Sequence, residues 1–93
     1  MTKRPICIIE IQNFANSLLL LDRISKYTDL ELVDYEQKLG GRLVTLILSG
    51  EVSSLIEVVE IAKKMYQDTY YLKVADVIPN PSDELMEFIN KGV

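Results

Sequence analysis

Hydrophobic positions along this chain fall into alternating β-type and helical runs. The segment Ile6–Ile11 is β-branched and nearly unbroken, which predicts a central strand covered on both faces. Asn13 follows it and can cap a helix or take a left-handed backbone conformation. The buried stripe of that helix is predicted at four positions with helical spacing: Phe14, Leu18, Leu21 and Ile24. Leu19 and Leu20 fall outside the stripe, so this helix is either deeply buried or pressed against a second surface such as another subunit.

Two β-prone runs on either side of a Gly-Gly pair predict an antiparallel hairpin. The first starts at Leu30 and interleaves apolar residues with acids, after an extra apolar residue at Val33. The second run, 42–49, is continuously β-prone. Because glycine accepts positive φ, Gly40 and Gly41 can make a tight turn between the runs.

A second helix, a last strand and a short final helix are predicted after Gly50. Ser54 and Glu57 have the spacing of a capping box for the second helix. The prolines of the Pro79–Pro81 segment end the last strand, and Ser82 can cap the final helix. The apolar positions of the second helix form two stripes: Val52, Leu55, Ile56, Val59, Ala62 and Tyr66, then Val58, Ile61 and Met65.

The element order is therefore β-α-β-β-α-β-α, which predicts an α+β fold. We expect a ferredoxin-like split βαβ variant, with an antiparallel-containing sheet and helices packed on one face of it. At 93 residues the chain is expected to form a single domain, 1–93, because a second core would have too little sequence.

Composition argues against several partner classes. A net charge of -4 disfavours nucleic acid, because binding it needs basic residues to displace counterions. The longest apolar run is far shorter than the roughly 20 residues of a membrane-spanning helix. One cysteine and no recognisable signal peptide predict a cytoplasmic location.

The chemistry of catalysis is sparse. The chain has no histidine, so the commonest general base and metal ligand is missing, and we expect neither a metal nor a cofactor. Cys7 lies in a core-like strand, and no phosphate-binding glycine loop is present. Asp34 and Glu36 share one polar edge, which is typical of a solvated face. An enzyme is therefore disfavoured.

Four segments nevertheless resemble the bacterial microcompartment shell proteins of the single-domain, hexamer-forming type. IEIQNF is similar to that family's Val-Glu-Thr-x-Gly strand end, and LLLLDRISKYTDLELVDYE to its Ala-Ala-Asp-x-Met-x-Lys helix and Leu-Val-Gly-Tyr-Glu strand. KLGGRLVTLILSGEV resembles its Lys-Ile-Gly-Ser-Gly turn with the following strand and helix start. DVIPNPSDEL resembles its His-Val-Ile-Pro-Arg-Pro-His segment. The resemblance covers essentially the whole chain.

The resemblance implies a six-fold ring that tiles with other shell proteins around encapsulated enzymes, with a central pore for small metabolites. The implied pore loop consists of five residues: Lys38, Leu39, Gly40, Gly41 and Arg42. Lys26 matches the lysine at the edge between hexamers, with Asp22 as its helical neighbour. Asn80 stands where the family has an arginine in the edge contact, which makes tiling by this protein alone less secure.

Two departures concern the implied pore. Gln37 looks like a one-residue insertion before the turn, which a β-bulge could absorb. Arg42 replaces a glycine and Gly41 a serine, so we expect a pore with a more positive field that favours anionic solutes.

An alternative function remains open: a ferredoxin-like small-molecule-binding regulatory module of lower oligomeric state. A small enzyme using Asp34 and Glu36 is the third and weakest possibility.

Overall fold

One antiparallel sheet of four strands organises the part of the chain that the structure describes. The structure is a computed structural model and describes residues 4–90. The elements follow the predicted order: β1 (Ile6–Gln12), α1 (Phe14–Ile24), β2 (Glu31–Lys38), β3 (Leu43–Ser49), α2 (Val52–Met65), β4 (Leu72–Ile78) and α3 (Asp83–Asn90). The spatial order of the strands is β2-β3-β1-β4. The predicted α+β, ferredoxin-like split βαβ fold is confirmed.

Strand β1 lies in the interior of the sheet, as its unbroken apolar sequence predicts. It pairs antiparallel with β3 on one side and β4 on the other, so Cys7 lies opposite both Leu48 and Val77. Side chains of alternate residues point to opposite faces of the sheet. Cys7 and Ile9 face α1 and α2, whereas Ile6 belongs to the cluster under α3.

Helices α1 and α2 cover one face of the sheet and enclose the main core. Apolar burial of this kind stabilises at about 25 cal/mol per Å². The fully buried members of this core come from both helices and from the two central strands: Cys7, Ile9, Ile11, Leu20, Val44, Leu46, Leu55, Val58 and Ala62.

The predicted stripe of α1 is wrong at three positions. Leu20, outside the predicted stripe, is fully buried, while Phe14 and Leu18 are 41% and 47% exposed. The buried face is formed by Ser17, Leu20 and Ile24. Ser17 is accepted there because its hydroxyl donates to the Phe14 carbonyl at 2.6 Å and lies 3.2 Å from the Tyr35 hydroxyl.

The start of α2 also differs from the prediction. The expected capping box of Ser54 and Glu57 is absent, because the first turn is capped from outside the helix. The Asp29 carboxylate accepts hydrogen bonds from the Glu51 backbone amide at 2.9 Å and from Ser54 Oγ at 3.1 Å. Asp29 thus fixes the loop before β2 to the start of α2.

Helix α3 packs on the opposite face of the sheet, so the expectation that all helices share one face is wrong. Ile89 of α3 is buried together with Ile6 and Ile47. The predicted cap is confirmed, since Ser82 Oγ accepts a hydrogen bond from the Leu85 amide at 3.1 Å. The sheet therefore has a large core on the α1 and α2 face and a small one under α3.

Candidate functional site

The β2–β3 hairpin turn carries the five residues that the sequence singled out. Lys38 and Leu43 form the last pair of the ladder, so residues 39–42 make the connection. Three successive residues have positive φ: Leu39 at 56°, Gly40 at 66° and Gly41 at 91°. Glycine adopts this region freely, but leucine does so only rarely. The connection is four residues long, not the tight two-residue turn that the glycine pair predicted.

The β-bulge of β2 is not at Gln37. Glu36, Gln37 and Lys38 pair in continuous register with Thr45, Val44 and Leu43. The register shifts between Leu32 and Asp34, so the irregularity lies at Val33. The bulge is thus near the start of β2, and the register of the strand leading into the turn is regular.

The two glycines of the turn have different surroundings. A Cβ built on Gly40 meets no heavy atom within 4 Å, so this residue lies in open space at the tip. A Cβ on Gly41 would lie 3.5 Å from Phe14 Cβ and 3.3 Å from Gln37 Oε1. The turn is also tied to the end of β1, because the Asn13 amide donates to the Arg42 carbonyl at 2.9 Å. The tip is therefore exposed, while its base is anchored.

A cleft of about 500 Å³ opens beside the turn. This volume is within the usual range for small-ligand sites, about 300–1,000 Å³. Phe14 and Tyr71 give the cleft aromatic side chains, and Arg42 gives it its only charge. The full lining comes from the end of β1, the start of α1, the turn and the residue before β4: Gln12, Asn13, Phe14, Gly40, Gly41, Arg42 and Tyr71. Tyr71 could not be found from local sequence patterns, because it meets Gln12 only in the folded chain, where the Gln12 amide donates to the Tyr71 carbonyl at 2.8 Å.

The two cationic side chains at the turn, Lys38 and Arg42, differ in whether a carboxylate lies near them. Lys38 Nζ lies 3.8 Å from Glu36 Oε1, a long and exposed ion pair that offsets part of its charge. The Arg42 side chain is exposed, and within residues 4–90 no carboxylate pairs with it. Arg42 is therefore the main source of positive field at the turn.

The three candidate edge residues lie away from the turn. Asp22 is on the exposed side of α1, and Lys26 lies beyond the end of that helix at Ile24. Lys26 Nζ lies 5.4 Å from the centroid of the Tyr27 ring, which is a cation–π contact. Asn80 is exposed in the segment between β4 and α3, beside the fully buried Pro81. No hydrogen bond or ion pair joins Asn80 to Lys26 in the described part of the chain.

Catalytic chemistry is weakly represented in the described residues. Burial raises the pKa of the Cys7 thiol to about 11, although a backbone hydrogen bond with Leu48 lowers it somewhat, so the reactive thiolate is scarce at neutral pH. Residues 4–90 contain no group of three or more cysteine or carboxylate side chains that could hold a metal ion. Within the same residues, the helices are too short or too polar to cross a membrane.

Comparison with known proteins defines the class. The profile of the BMC domain family matches residues 6–81, from the start of β1 to the second proline after β4. The chain therefore belongs to the BMC domain family. This confirms the resemblance to bacterial microcompartment shell proteins, the structural rather than enzymatic role, and the location in the microcompartment shell.

Individual relatives agree with the family. The chain is 25% identical over 93 residues to the bacterial microcompartment shell protein PduA of Citrobacter freundii, covering 100% of this chain and 99% of that protein. It is likewise 25% identical to PduA of Salmonella typhimurium, with 98% of that protein covered. The crystal structure of a microcompartment protein from Desulfitobacterium hafniense superposes with a TM-score of 0.74 at 15% identity. That match covers 99% of this chain but only 49% of the other chain, and it supports the fold alone.

Proposed function

We propose that this chain is a single-domain tile of a microcompartment shell, that it forms a six-fold ring, and that its β2–β3 turn lines an axial pore for small metabolites. The observation that carries the proposal is the full-length correspondence with two shell proteins, in a chain whose turn combines glycines at positive φ with the exposed Arg42, which has no carboxylate partner within residues 4–90. The pore loop is formed by Lys38, Leu39, Gly40, Gly41 and Arg42.

The geometry of the tip suits convergence on an axis. Six copies of a turn leave little room for side chains where they meet, and Gly40 presents none. Exposed backbone amide and carbonyl groups can interact with passing solutes, as they do in other selective pores. Six copies of Arg42 around one opening would create a positive field that attracts anions.

Tiling would involve the opposite end of the molecule. Lys26 and Asn80 are exposed, and each can meet its counterpart or another shell protein at the edge of a ring. Asn80 offers fewer donors than an arginine and no charge. We therefore expect this tile to assemble with other shell proteins more readily than with itself, and the resulting shell to enclose enzymes.

Electron microscopy of purified protein tests the ring directly. Six-fold particles with a central hole, or sheets with a hexagonal repeat, support the proposal. The cleft beside the turn supports one alternative function, a small-molecule-binding regulatory module of lower oligomeric state. Stable dimers or trimers with no hole would favour that module.

A further inference from the structure

Leu39 is an exposed apolar side chain next to a cleft that it does not enter. Leu39 is 69% exposed and holds a positive φ of 56°, which is unfavourable for a branched apolar side chain. The cleft presents Phe14 and Tyr71, which are themselves 41% and 44% exposed. Leu39 does not line the cleft of its own chain, although its neighbours Gly40 and Gly41 do. An exposed apolar side chain and a cleft with two half-exposed aromatic side chains thus lie side by side without meeting.

We propose that Leu39 of each subunit inserts into the Phe14–Tyr71 cleft of the next copy around the ring. This inference rests on the proposed six-fold assembly. About a six-fold axis, equivalent atoms of adjacent copies are separated by the same distance that separates each of them from the axis. In the proposed ring the turn lines the axis, so the cleft that the turn bounds lies close to the neighbouring turn.

The arrangement is the type that closes a ring. A cyclic assembly larger than a dimer needs two different, complementary surfaces on each subunit, so that each copy both gives and receives. Leu39 is the projecting side chain, and the cleft is the receiving surface. Insertion would remove an exposed leucine from water and would hold its strained backbone in place.

The area involved sets the size of the expected effect. Aromatic side chains bury about 150–250 Å² each. Phe14 is 41% exposed and Tyr71 is 44% exposed, so each aromatic side chain has roughly 60–110 Å² of exposed area that a neighbouring subunit could cover. A standard interface buries about 800 Å² per partner. The contact is thus the inner part of a larger interface, and its loss should weaken the ring rather than prevent its formation.

The first test is the dissociation of the ring on dilution, measured by mass photometry. In the Leu39→Asn variant, asparagine tolerates the positive φ at this position but lacks the apolar side chain. We expect this variant to raise the concentration at which half of the rings dissociate by about tenfold or more, because each ring loses six such contacts. Phe88→Asn is the control, since Phe88 is 59% exposed on α3, which packs on the other face of the sheet from α1, and does not line the cleft. An equal effect of both substitutions, or no effect of Leu39→Asn, would overturn the inference.

The second test identifies the contact by disulfide formation. Differently tagged Leu39→Cys and Tyr71→Cys variants are coexpressed and oxidised, with the buried Cys7 as the only native thiol. Disulfide-linked heterodimers between the two variants within a hexamer support the insertion. A hexamer that gives only Leu39→Cys homodimers, or no disulfide, leaves the ring intact and overturns the insertion. Wild-type protein that is not hexameric would instead overturn the ring itself, and the inference with it.

Discussion

The Asp29 carboxylate accepts a hydrogen bond at 2.9 Å from the backbone amide of Glu51, the residue that precedes α2. The side chain that caps this helix therefore comes from the loop before β2 and not from the residue at the helix start. The same carboxylate accepts from Ser54 Oγ at 3.1 Å. One side chain thus joins the hairpin to the second helix.

Asp29→Ala is expected to lower the melting temperature by a few degrees, because two donors at the start of α2 lose their acceptor. The hydrogen bond from Glu51 lowers the pKa of Asp29, although partial burial opposes it. A lowered pKa stabilises the fold above the ordinary value near 3.9, and this stabilisation is lost as the pH falls through the folded-state pKa. Thermal melts of wild type and Asp29→Asn should therefore differ at pH 7 and converge in strong acid; a constant difference would contradict the account.

Gly50 has little space for a side chain. A Cβ at this position would lie 2.9 Å from Leu30 Cδ2 and 3.3 Å from the Asp29 carbonyl oxygen. We expect Gly50→Ala to cost about 1–3 kcal/mol in the free energy of unfolding, measured in urea. Gly40→Ala is the comparison, since Gly40 has open space but a φ of 66°, and it should cost about 1–2 kcal/mol from backbone strain alone. A neutral Gly50→Ala would show that the loop before β2 moves freely.

Tyr66 connects the two large helices through its hydroxyl. This residue is buried, and the hydroxyl donates to the Asn16 carbonyl at 2.9 Å. Tyr66→Phe should destabilise the protein by about 1 kcal/mol, whereas Tyr70→Phe, at a residue that is almost fully exposed, should have no measurable effect.

The same residue predicts a response to alkaline pH. Burial raises the pKa of Tyr66, although the positive charge of Arg23 lowers it somewhat. A raised pKa means that the neutral phenol stabilises the fold below the ordinary value near 10, and that this contribution is lost as the pH rises through the folded-state pKa. In urea melts, Tyr66→Phe should thus be less sensitive to alkali than wild type; identical alkaline profiles would refute this role.

Arg42 is expected to control the charge preference of the proposed pore. Arg42→Ser should reduce the permeability of anionic solutes, relative to neutral solutes of similar size, by several-fold in flux measurements through purified sheets. Arg23→Ser is the matched control, because it removes the same charge from an exposed position on α1. An unchanged ratio in the Arg42 variant would locate the selectivity elsewhere.

The fold was predictable because its elements are signalled locally. The unbroken β1, the glycine-separated hairpin and the proline stop after β4 fixed the element order and therefore the topology. The run Leu18–Leu21 is different. Four successive leucines show no helical periodicity, so the sequence does not indicate which side of α1 is buried. The buried Ser17 hydroxyl also lies 3.2 Å from the Tyr35 hydroxyl, which only the folded sheet brings near.

The candidate site was predictable in part for the same reason. The five residues of the turn are contiguous in sequence, so local pattern and family resemblance were sufficient to find them. The bulge at Val33, the cap from Asp29 and the cleft wall at Tyr71 depend on contacts between distant segments. The positive φ of Leu39 could not be predicted either, because glycine is the residue expected to take this conformation and two glycines follow Leu39.

Six copies of this chain are proposed to form a ring around the β2–β3 turn. The most direct measurement is the native mass in solution, by multi-angle light scattering behind a sizing column over a range of concentrations. The account predicts a mass six times that of the 10.6 kDa chain. A monomer, dimer or trimer that persists at high concentration would contradict it, and the glycine turn would then be only the end of a hairpin.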